Sequence, residues 1–264
     1  MNNLQNKVED TKIKKIIRFK NGIKTEVNDI IVNETSFVIS LQCEIIGILT
    51  CTLSNMDDLV VGYLISSGVV WERNKLINIE YISDKQKYDV TLENNNILQE
   101  SEYQVIKPLG CASGDSIFIR LKRGERNLAE ITINANEISG LMIEFNKTSE
   151  LFKTTGGVHS AALADSQNIL VFREDIGRHN AVDKVFGSLY IQKQSLDDKI
   201  LLTSGRISSE IVMKSINAGV QIIVSRSAPT YKGIELAEQN NITLIGFARS
   251  NNFNIYSGFE RVKS

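Results

Sequence analysis

The sequence predicts a mixed α/β protein in two parts, a smaller β-rich domain over residues 1–133 and an α/β domain over residues 134–264. Short β-like runs separated by turns fill the first part, which is typical of an antiparallel sheet with a helix against it. In the second part strand candidates alternate with helices, a pattern that favours a mainly parallel sheet. With 42% hydrophobic residues, the chain has enough apolar side chains for a large core.

The first domain is predicted to contain several strands and one helix. Its strand candidates are apolar runs at 16–19, 30–32, 37–53, 77–82, 88–92 and 117–121. Asn21-Gly22 follows the first run, and this dipeptide is a strong signal for a hairpin turn. Ser54 or Asn55 caps a helix that ends near Gly68 and that we expect to cover the sheet. Residues 93–102 are polar and predict a surface loop.

The second domain opens with a long predicted helix from Asn136 to about Lys153, followed by a small-residue turn at 155–157. Strand candidates lie at 168–173, 199–203, 220–225 and 242–247, and helices lie near 178–190, 207–217 and 229–239. Pro229 suits the first position of the last helix, and Gly219 suits a helix C-terminus.

Charge and composition exclude several classes of protein. Thirty basic and 31 acidic residues nearly balance, so general attraction to nucleic acid or to an anionic membrane is not expected. The N-terminal residues show no secretion signal, and no apolar run approaches the ~18 residues of a membrane span. Three cysteines do not indicate a disulfide framework at this length. We therefore expect a soluble, cytoplasmic protein.

The segment 173–184, Arg-Glu-Asp-Ile-Gly-Arg-His-Asn-Ala-Val-Asp-Lys, crowds charged side chains into a strand-to-helix turn. Gly177 permits a sharp reversal there, and such a turn offers backbone N–H groups to a ligand. An arginine follows each predicted strand of the second domain: Arg178, Arg206, Arg226 and Arg249. Because ligands of open α/β sheets bind beyond the carboxyl ends of the strands, these arginines predict an anion site.

The residues beside these arginines strengthen that prediction. Ser204, Gly205, Ser225 and Ser227 can add hydroxyl and backbone donors, so a polyphosphate or nucleotide is the expected ligand. Two of the arginines fall at predicted helix starts, where a cation costs ~0.3 to 1 kcal/mol that a bound anion would offset. Surface salt bridges are the alternative role for the arginines.

The histidines and cysteines leave alternatives open. His159 and His179 each lie beside a glycine-containing turn, where a ligand contact and a structural hydrogen bond are both reasonable. Cys43 and Cys51 lie in apolar β-like runs and are expected to be buried. Cys111 lies in a loop of small residues, where a reactive and a passive thiol are equally open. The patterns of zinc deaminases, Walker A loops, dinucleotide-binding turns, serine hydrolases and zinc proteases are absent.

Taken together, several segments of the sequence resemble the FdhD family of formate dehydrogenase accessory sulfurtransferases. The matching runs follow the family's order at 155–159, 173–184, 204–206, 225–230 and 246–256, with a weaker match at 57–64. The resemblance implies a cytidine deaminase-like C-terminal domain without the deaminase metal ligands, and a homodimer. It also implies that a cysteine desulfurase donates persulfide sulfur, which the protein passes to bis-molybdopterin guanine dinucleotide molybdenum cofactor for use by formate dehydrogenase.

The resemblance also assigns site residues. The family's persulfide cysteine corresponds to Cys111, although residues 112–114 are Ala-Ser-Gly where many members complete a Cys-x-x-Cys pair. The family's cofactor-binding run maps onto Phe247, Ala248, Arg249, Ser250, Asn251 and Asn252. The other cofactor-binding candidates lie at the strand ends: His159, Gly177, Arg178, His179, Ser204, Gly205, Arg206, Ser225 and Arg226. A guanine nucleotide is expected to mimic part of the cofactor.

Two other functions remain open at the level of sequence. A non-catalytic chaperone would bind and deliver the cofactor without moving sulfur, and the missing second cysteine favours it. A cysteine hydrolase would pair Cys111 with His159 or His179, but it needs a third residue to orient the histidine.

Overall fold

The computed structural model describes residues 10–41, 44–70, 76–92, 103–106, 118–121 and 131–264. Cys43, Cys111 and the loop predicted at 93–102 lie outside the described residues. No helix in these ranges is long and apolar enough to cross a membrane. The mixed α/β class predicted from the sequence is confirmed.

The strands and helices alternate along the chain as follows. The strands are β1 (Thr11–Lys20), β2 (Ile23–Val32), β3 (Thr35–Leu41), β4 (Glu44–Cys51), β5 (Leu76–Ile82), β6 (Lys87–Leu92), β7 (Tyr103–Ile106), β8 (Phe118–Leu121), β9 (Ile133–Asn134), β10 (His159–Ala164), β11 (Ile169–Asp175), β12 (Ile200–Thr203), β13 (Ile222–Ser225), β14 (Thr243–Arg249), β15 (Asn252–Ser257) and β16 (Val262–Lys263). The helices are α1 (Met56–Ser66), α2 (Ala135–Thr148), α3 (Glu150–Thr155), α4 (Arg178–Ile191), α5 (Ser209–Ala218) and α6 (Tyr231–Gln239).

The first part of the chain forms a long hairpin and a four-stranded sheet. β1 and β2 join through Asn21 and Gly22, both at positive φ, which confirms the predicted turn. The sheet has the order β4-β3-β6-β5, and β3 and β6 run parallel. The prediction of an antiparallel sheet is therefore wrong for the pair β3 and β6. The helix α1 lies between β4 and β5 in the chain and carries it back across the sheet, which allows these two strands to run parallel.

Helix α1 covers this sheet, as expected, and also contacts the second part of the chain. The Tyr63 hydroxyl donates to the Ile46 carbonyl in β4 at 2.8 Å. On its other side α1 meets α4 at two glycines, since a Cβ added to Gly62 would lie 1.7 Å from the Asp183 carbonyl oxygen, and one added to Gly187 would lie 1.9 Å from that of Asp58. Glycine is required at both positions because the two backbones touch.

The second part is built on a six-stranded sheet of order β11-β10-β12-β13-β14-β15. β12, β13 and β14 are parallel, whereas β10 and β15 run against their neighbours. The prediction of a mainly parallel sheet is wrong in this respect, because the sequence did not indicate β10 or β15. β10 is rich in alanine, a residue with low strand propensity, and Ala161, Ala162 and Ala164 are fully buried there.

Two core clusters fill the two faces of this sheet. One face, with α4, α5 and α6, shares a single cluster with α1 and the four-stranded sheet. The other face packs against α2 through residues such as Leu141, Met142 and Phe145. The boundary at 133/134 stays a prediction, and the shared cluster shows that both predicted domains contribute to one core.

Two predicted helix ends are wrong. The helix expected from Asn136 to Lys153 is broken at Ser149, because the Glu174 carboxylate accepts hydrogen bonds from the backbone N–H groups of Leu151 and Phe152 and starts α3 there. The last helix begins at Tyr231, after the N-cap Thr230, so Pro229 lies outside it. Gly219 does end α5, with a φ of 89°.

Candidate functional site

One edge of the six-stranded sheet gathers the predicted binding residues. β11, β12, β13 and β14 run in the same direction and end at this edge. β10 runs the opposite way, so its first residue, His159, lies beside the last residue of β11, Asp175. The turn at Ser250 and Asn251 between β14 and β15 also lies here.

A cavity of about 420 Å³ opens at this edge, between the sheet and helices α2 and α3. Three predicted residues line it: His159, Ser204 and Arg226. The runs 155–159 and 173–184 contribute four more lining residues, Gly156, Gly157, Val158 and Ile176. The sequence did not indicate the lining residues of α2 and α3, which include Phe145, Asn146, Phe152 and Lys153. Phe145 and Phe152 have the apolar spacing of an ordinary helix face, which gives no signal for a cavity wall.

His159 is held at the cavity wall by the neighbouring strand. Its Nδ1 lies 3.4 Å from the Ser204 hydroxyl oxygen, which also accepts a hydrogen bond from the Ser160 N–H at 2.9 Å. The pKa of His159 is lowered because burial disfavours its charged form and because Arg178, His179 and Arg226 repel a proton, although Asp175 acts in the other direction. The ring is therefore a neutral hydrogen-bonding group among cations.

Arg226 lines the cavity and also contacts Arg249 at the end of β14. Its guanidinium lies 5.7 Å from the centre of the Phe152 ring, and Nη1 donates to Asn146 Oδ1 at 3.4 Å. Its carbonyl accepts from Arg249 Nε at 3.4 Å. Phe152 and Asn146 therefore hold one arginine at the cavity while Arg249 stays exposed beside it.

Arg178 and His179 form the start of α4, just after Ile176, which lines the cavity. The side-chain carbons of Arg178 lie 3.0 to 3.6 Å from where a Cβ on Gly205 would stand, so glycine lets this arginine lie across the loop after β12. His179 Nε2 lies 3.0 Å from Glu210 Oε2, and this contact lowers the pKa of the Glu210 carboxyl. His179 thus lies against Glu210 of α5. Arg178 Nε is buried and has no hydrogen-bond partner among the described residues.

Most charges of the segment 173–184 have structural partners. Arg173 Nε pairs with Asp58 at 2.8 Å, and Lys184 Nζ pairs with Asp175 at 2.7 Å with both side chains fully buried. Asp183 pairs with Lys214 at 2.7 Å in another buried site. The segment is therefore mainly a framework that fixes the strand-to-helix turn.

Several predicted residues contribute their backbone or buried hydroxyl to this framework rather than to the cavity. The Gly177 N–H donates to Asp175 Oδ1 at 2.9 Å, and the Gly205 N–H donates to Thr203 Oγ1 at 3.2 Å. The fully buried Ser225 hydroxyl donates to the Gly205 carbonyl. Arg206 is exposed and precedes the N-cap of α5, so its expected place in the first turn of a helix is wrong.

The run 247–252 carries unusual backbone geometry. Phe247 has a φ of 54° and Ser250 a φ of 52°, although neither is glycine. A bulge between Gly246 and Arg249 turns Phe247 outward, where it is 42% exposed, and buries Ala248. A bulky side chain at positive φ costs on the order of 1–3 kcal/mol, and such strain concentrates at functional sites.

The fold and this edge together define a mixed α/β protein with a cationic cavity at the ends of its strands. The model of the FdhD/NarQ family matches residues 32–263, and the chain therefore belongs to that family.

Named relatives agree with this assignment. The sulfur carrier protein FdhD of Bacillus subtilis strain 168 is 34% identical over 257 residues, covering 96% of this chain and 98% of that protein. The protein of the same name from Staphylococcus aureus strain MRSA252 is 34% identical over 251 residues, covering 94% of each chain.

A solved structure shows the same fold. The crystal structure of a protein from Desulfotalea psychrophila designated a formate dehydrogenase accessory protein superposes with a TM-score of 0.77 at 24% identity, covering 96% of this chain and 99% of that one. The likeness to cytidine deaminases stays a prediction.

Proposed function

We propose that this protein is a sulfur carrier that serves formate dehydrogenase. Its Cys111 accepts persulfide sulfur from a cysteine desulfurase, and the protein passes this sulfur to bis-molybdopterin guanine dinucleotide molybdenum cofactor. Membership of the FdhD/NarQ family supports the carrier role. The observation that carries the cofactor half is the cavity at the strand ends, which Lys153, His159 and Arg226 line, with the exposed Arg249 beside Arg226. Phosphates of a dinucleotide are the anions that such a site suits.

The carrier step is a thiol exchange. The Cys111 thiolate attacks the outer sulfur of the desulfurase persulfide, forms a new S–S bond and releases the desulfurase thiolate. Giving that sulfur up as sulfide takes two electrons, which a second thiol in the same loop would supply by forming a disulfide. Since residues 112–114 contain no cysteine, we propose that an external thiol supplies them.

The carrier role is tested by mass spectrometry after incubation with desulfurase and cysteine. We expect one added sulfur on the peptide that contains Cys111. Cys51 is an internal control, because it is buried and its pKa is raised to about 12, mainly by that burial, so it stays a thiol. Sulfur found on Cys51 and not on Cys111 would contradict the carrier role.

The Cys111→Ala variant distinguishes the sulfur carrier from the second candidate function, a non-catalytic cofactor chaperone. The absence of a second cysteine at residues 112–114 favours the chaperone. A carrier without its thiol should fail to activate formate dehydrogenase, whereas a chaperone should still activate it. Guanosine diphosphate binding should be unchanged in this variant under both functions, and this confirms that the variant is folded.

The phosphate site is tested with the double variant Arg206→Ala, Arg249→Ala. Both arginines are exposed, so the fold should be unaffected, and guanosine diphosphate binding should weaken roughly tenfold or more because charge-assisted hydrogen bonds are lost. Arg18→Ala is the control, since Arg18 is an exposed arginine in the β1–β2 hairpin, where it pairs with Asp29. Calorimetry that shows equal affinity for the double variant and the control would place the phosphates elsewhere.

A further inference from the structure

Arg226 is held at the cavity by neutral groups. Its guanidinium lies 5.7 Å from the centre of the Phe152 ring, and Nη1 donates to Asn146 Oδ1 at 3.4 Å. It forms no ion pair among the described residues. Other arginines in these ranges do pair with a carboxylate, namely Arg18, Arg173 and Arg261. The positive charge of Arg226 is therefore held in place without being neutralised.

The amide of Asn146 is oriented by its own helix. Asn146 lies in the last turn of α2, and its Nδ2 donates to the Met142 carbonyl, four residues earlier, at 2.7 Å. Because the amide nitrogen is engaged there, the amide oxygen is the atom that meets Arg226. An amide oxygen accepts a hydrogen bond from the guanidinium without cancelling its charge, whereas a carboxylate would cancel it.

Phe152 contributes more to Arg226 than to the core. Its side chain lines the cavity and is 38% exposed. It is carried by α3, whose start is fixed by the Glu174 carboxylate through the N–H groups of Leu151 and Phe152. An aromatic face within about 6 Å of a guanidinium attracts that cation. The short helix therefore places a ring where it holds an arginine at the cavity wall.

The charges around the cavity suit an anion. Lys153 and Arg226 line it, and no carboxylate lines it within the part of the chain that the structure describes. Burial and the nearby cations, Arg226 among them, lower the pKa of His159, so the charge of Arg226 acts inside the cavity. A phosphate, with several acceptor oxygens, is the anion that an unneutralised guanidinium fork fits.

We propose that Arg226 anchors a phosphate in this cavity and that Asn146 and Phe152 are its positioning residues. They hold the guanidinium through neutral contacts and so leave its charge for the bound phosphate. The inference rests on the cofactor half of the proposed function and adds to it the two residues that act through the arginine. Neither residue needs to touch the ligand for this role.

Calorimetric titration of the full chain with inorganic diphosphate and with guanosine diphosphate tests the role of Asn146. Asn146→Asp keeps an oxygen beside Arg226 but adds a negative charge, so both ligands should bind at least ~tenfold more weakly. Asn240→Asp is the matched control, because Asn240 Nδ2 also donates to the carbonyl four residues earlier, at 2.8 Å, but at the C-terminal end of α6. Its affinities should stay within about threefold of the wild-type values.

A double-mutant cycle tests whether Phe152 acts through Arg226. Phe152→Leu keeps an apolar side chain but removes the ring, so guanosine diphosphate should bind about threefold more weakly or worse, whereas Phe152→Tyr should restore wild-type affinity. In the Arg226→Gln background, Phe152→Leu should cause no further loss, because no guanidinium is left to hold. An equal loss in both backgrounds would overturn the positioning role, and this cycle decides the matter even if Asn146→Asp fails to fold.

The outcomes separate this inference from the proposed function. Wild-type affinity in Asn146→Asp, or an equal loss in Asn240→Asp, would overturn the inference. If the Arg206→Ala, Arg249→Ala double variant lost affinity while Asn146→Asp did not, the cofactor site would stand and its phosphates would lie away from Arg226. A wild-type chain that binds neither ligand would overturn both.

Discussion

The contacts and the charge environment of single side chains at the strand ends depend on residues that lie far away in sequence. His159 shows this best, since its ring meets Ser204 from the next strand while Arg178 and Arg226 arrive from two other connections. The charged block that contains Arg178 is conspicuous in the sequence, but the structure assigns most of its charges to internal ion pairs. Of the segment 173–184, Ile176 lines the cavity, and the buried ion pairs fix the turn that carries it.

The lowered pKa of His159 predicts an acid-sensitive fold. Because the pKa of this histidine is lower in the folded state than in the unfolded state, the unfolded chain binds more protons in acid than the folded chain does. The free energy of unfolding should therefore fall as the pH drops below the ordinary value of 6.5, and it should level off below the folded-state pKa. We expect His159→Gln to remove this contribution.

Urea unfolding at about pH 7.5 and about pH 5.5 measures the effect. The lowered pKa of the Glu210 carboxyl acts only in stronger acid, below its ordinary value of 4.5, so it does not interfere in this range. Identical losses of stability in the wild type and in His159→Gln would contradict the assignment of this acid sensitivity to His159.

At the scale of elements, the crossing of α1 and α4 depends on two glycines. A methyl group at Gly187 would overlap the Asp58 carbonyl oxygen, at 1.9 Å, so Gly187→Ala should push the helices apart and destabilise the fold by about 1–3 kcal/mol or more. Gly140→Ala is the control, because Gly140 is exposed in α2 with nothing within 4 Å of an added Cβ. It should stabilise the fold by roughly 0.5–1 kcal/mol.

Urea unfolding of the two variants gives the comparison. Equal stability of Gly187→Ala and Gly140→Ala would mean that the backbones of α1 and α4 are not in contact where the two helices cross.

The elements themselves were predicted from the sequence where local signals are strong. Asn21-Gly22 fixes a hairpin turn, and Gly219 fixes a helix end, because both depend on local backbone conformation. The break at Ser149 was not predictable, since it depends on Glu174 in another strand. Neither was the cavity, because Phe145 and Phe152 have the sequence pattern of an ordinary helix face. The edge of arginines was predictable because strand ends can be read from apolar runs.

At the scale of the whole molecule, the two predicted domains share one apolar core. The cluster that contains Ile39 in β3 also contains Ile223 in β13, and α1 lies between their sheets. The buried pair of Asp183 and Lys214 adds a polar link to α1, since both side chains meet the Ser66 hydroxyl. A core continuous across the predicted boundary should unfold as one cooperative unit.

We therefore predict that a cavity in either sheet lowers the stability of both. Ile39→Ala and Ile223→Ala, at two fully buried positions, should each cost about 2–5 kcal/mol. Native-state hydrogen exchange should show that the most protected amides of β3 and of β13 lose the same free energy in each variant. Loss of protection confined to β3–β6 in Ile39→Ala, with β12–β14 unchanged, would show that residues 1–133 unfold separately and that the shared core does not couple the two sheets.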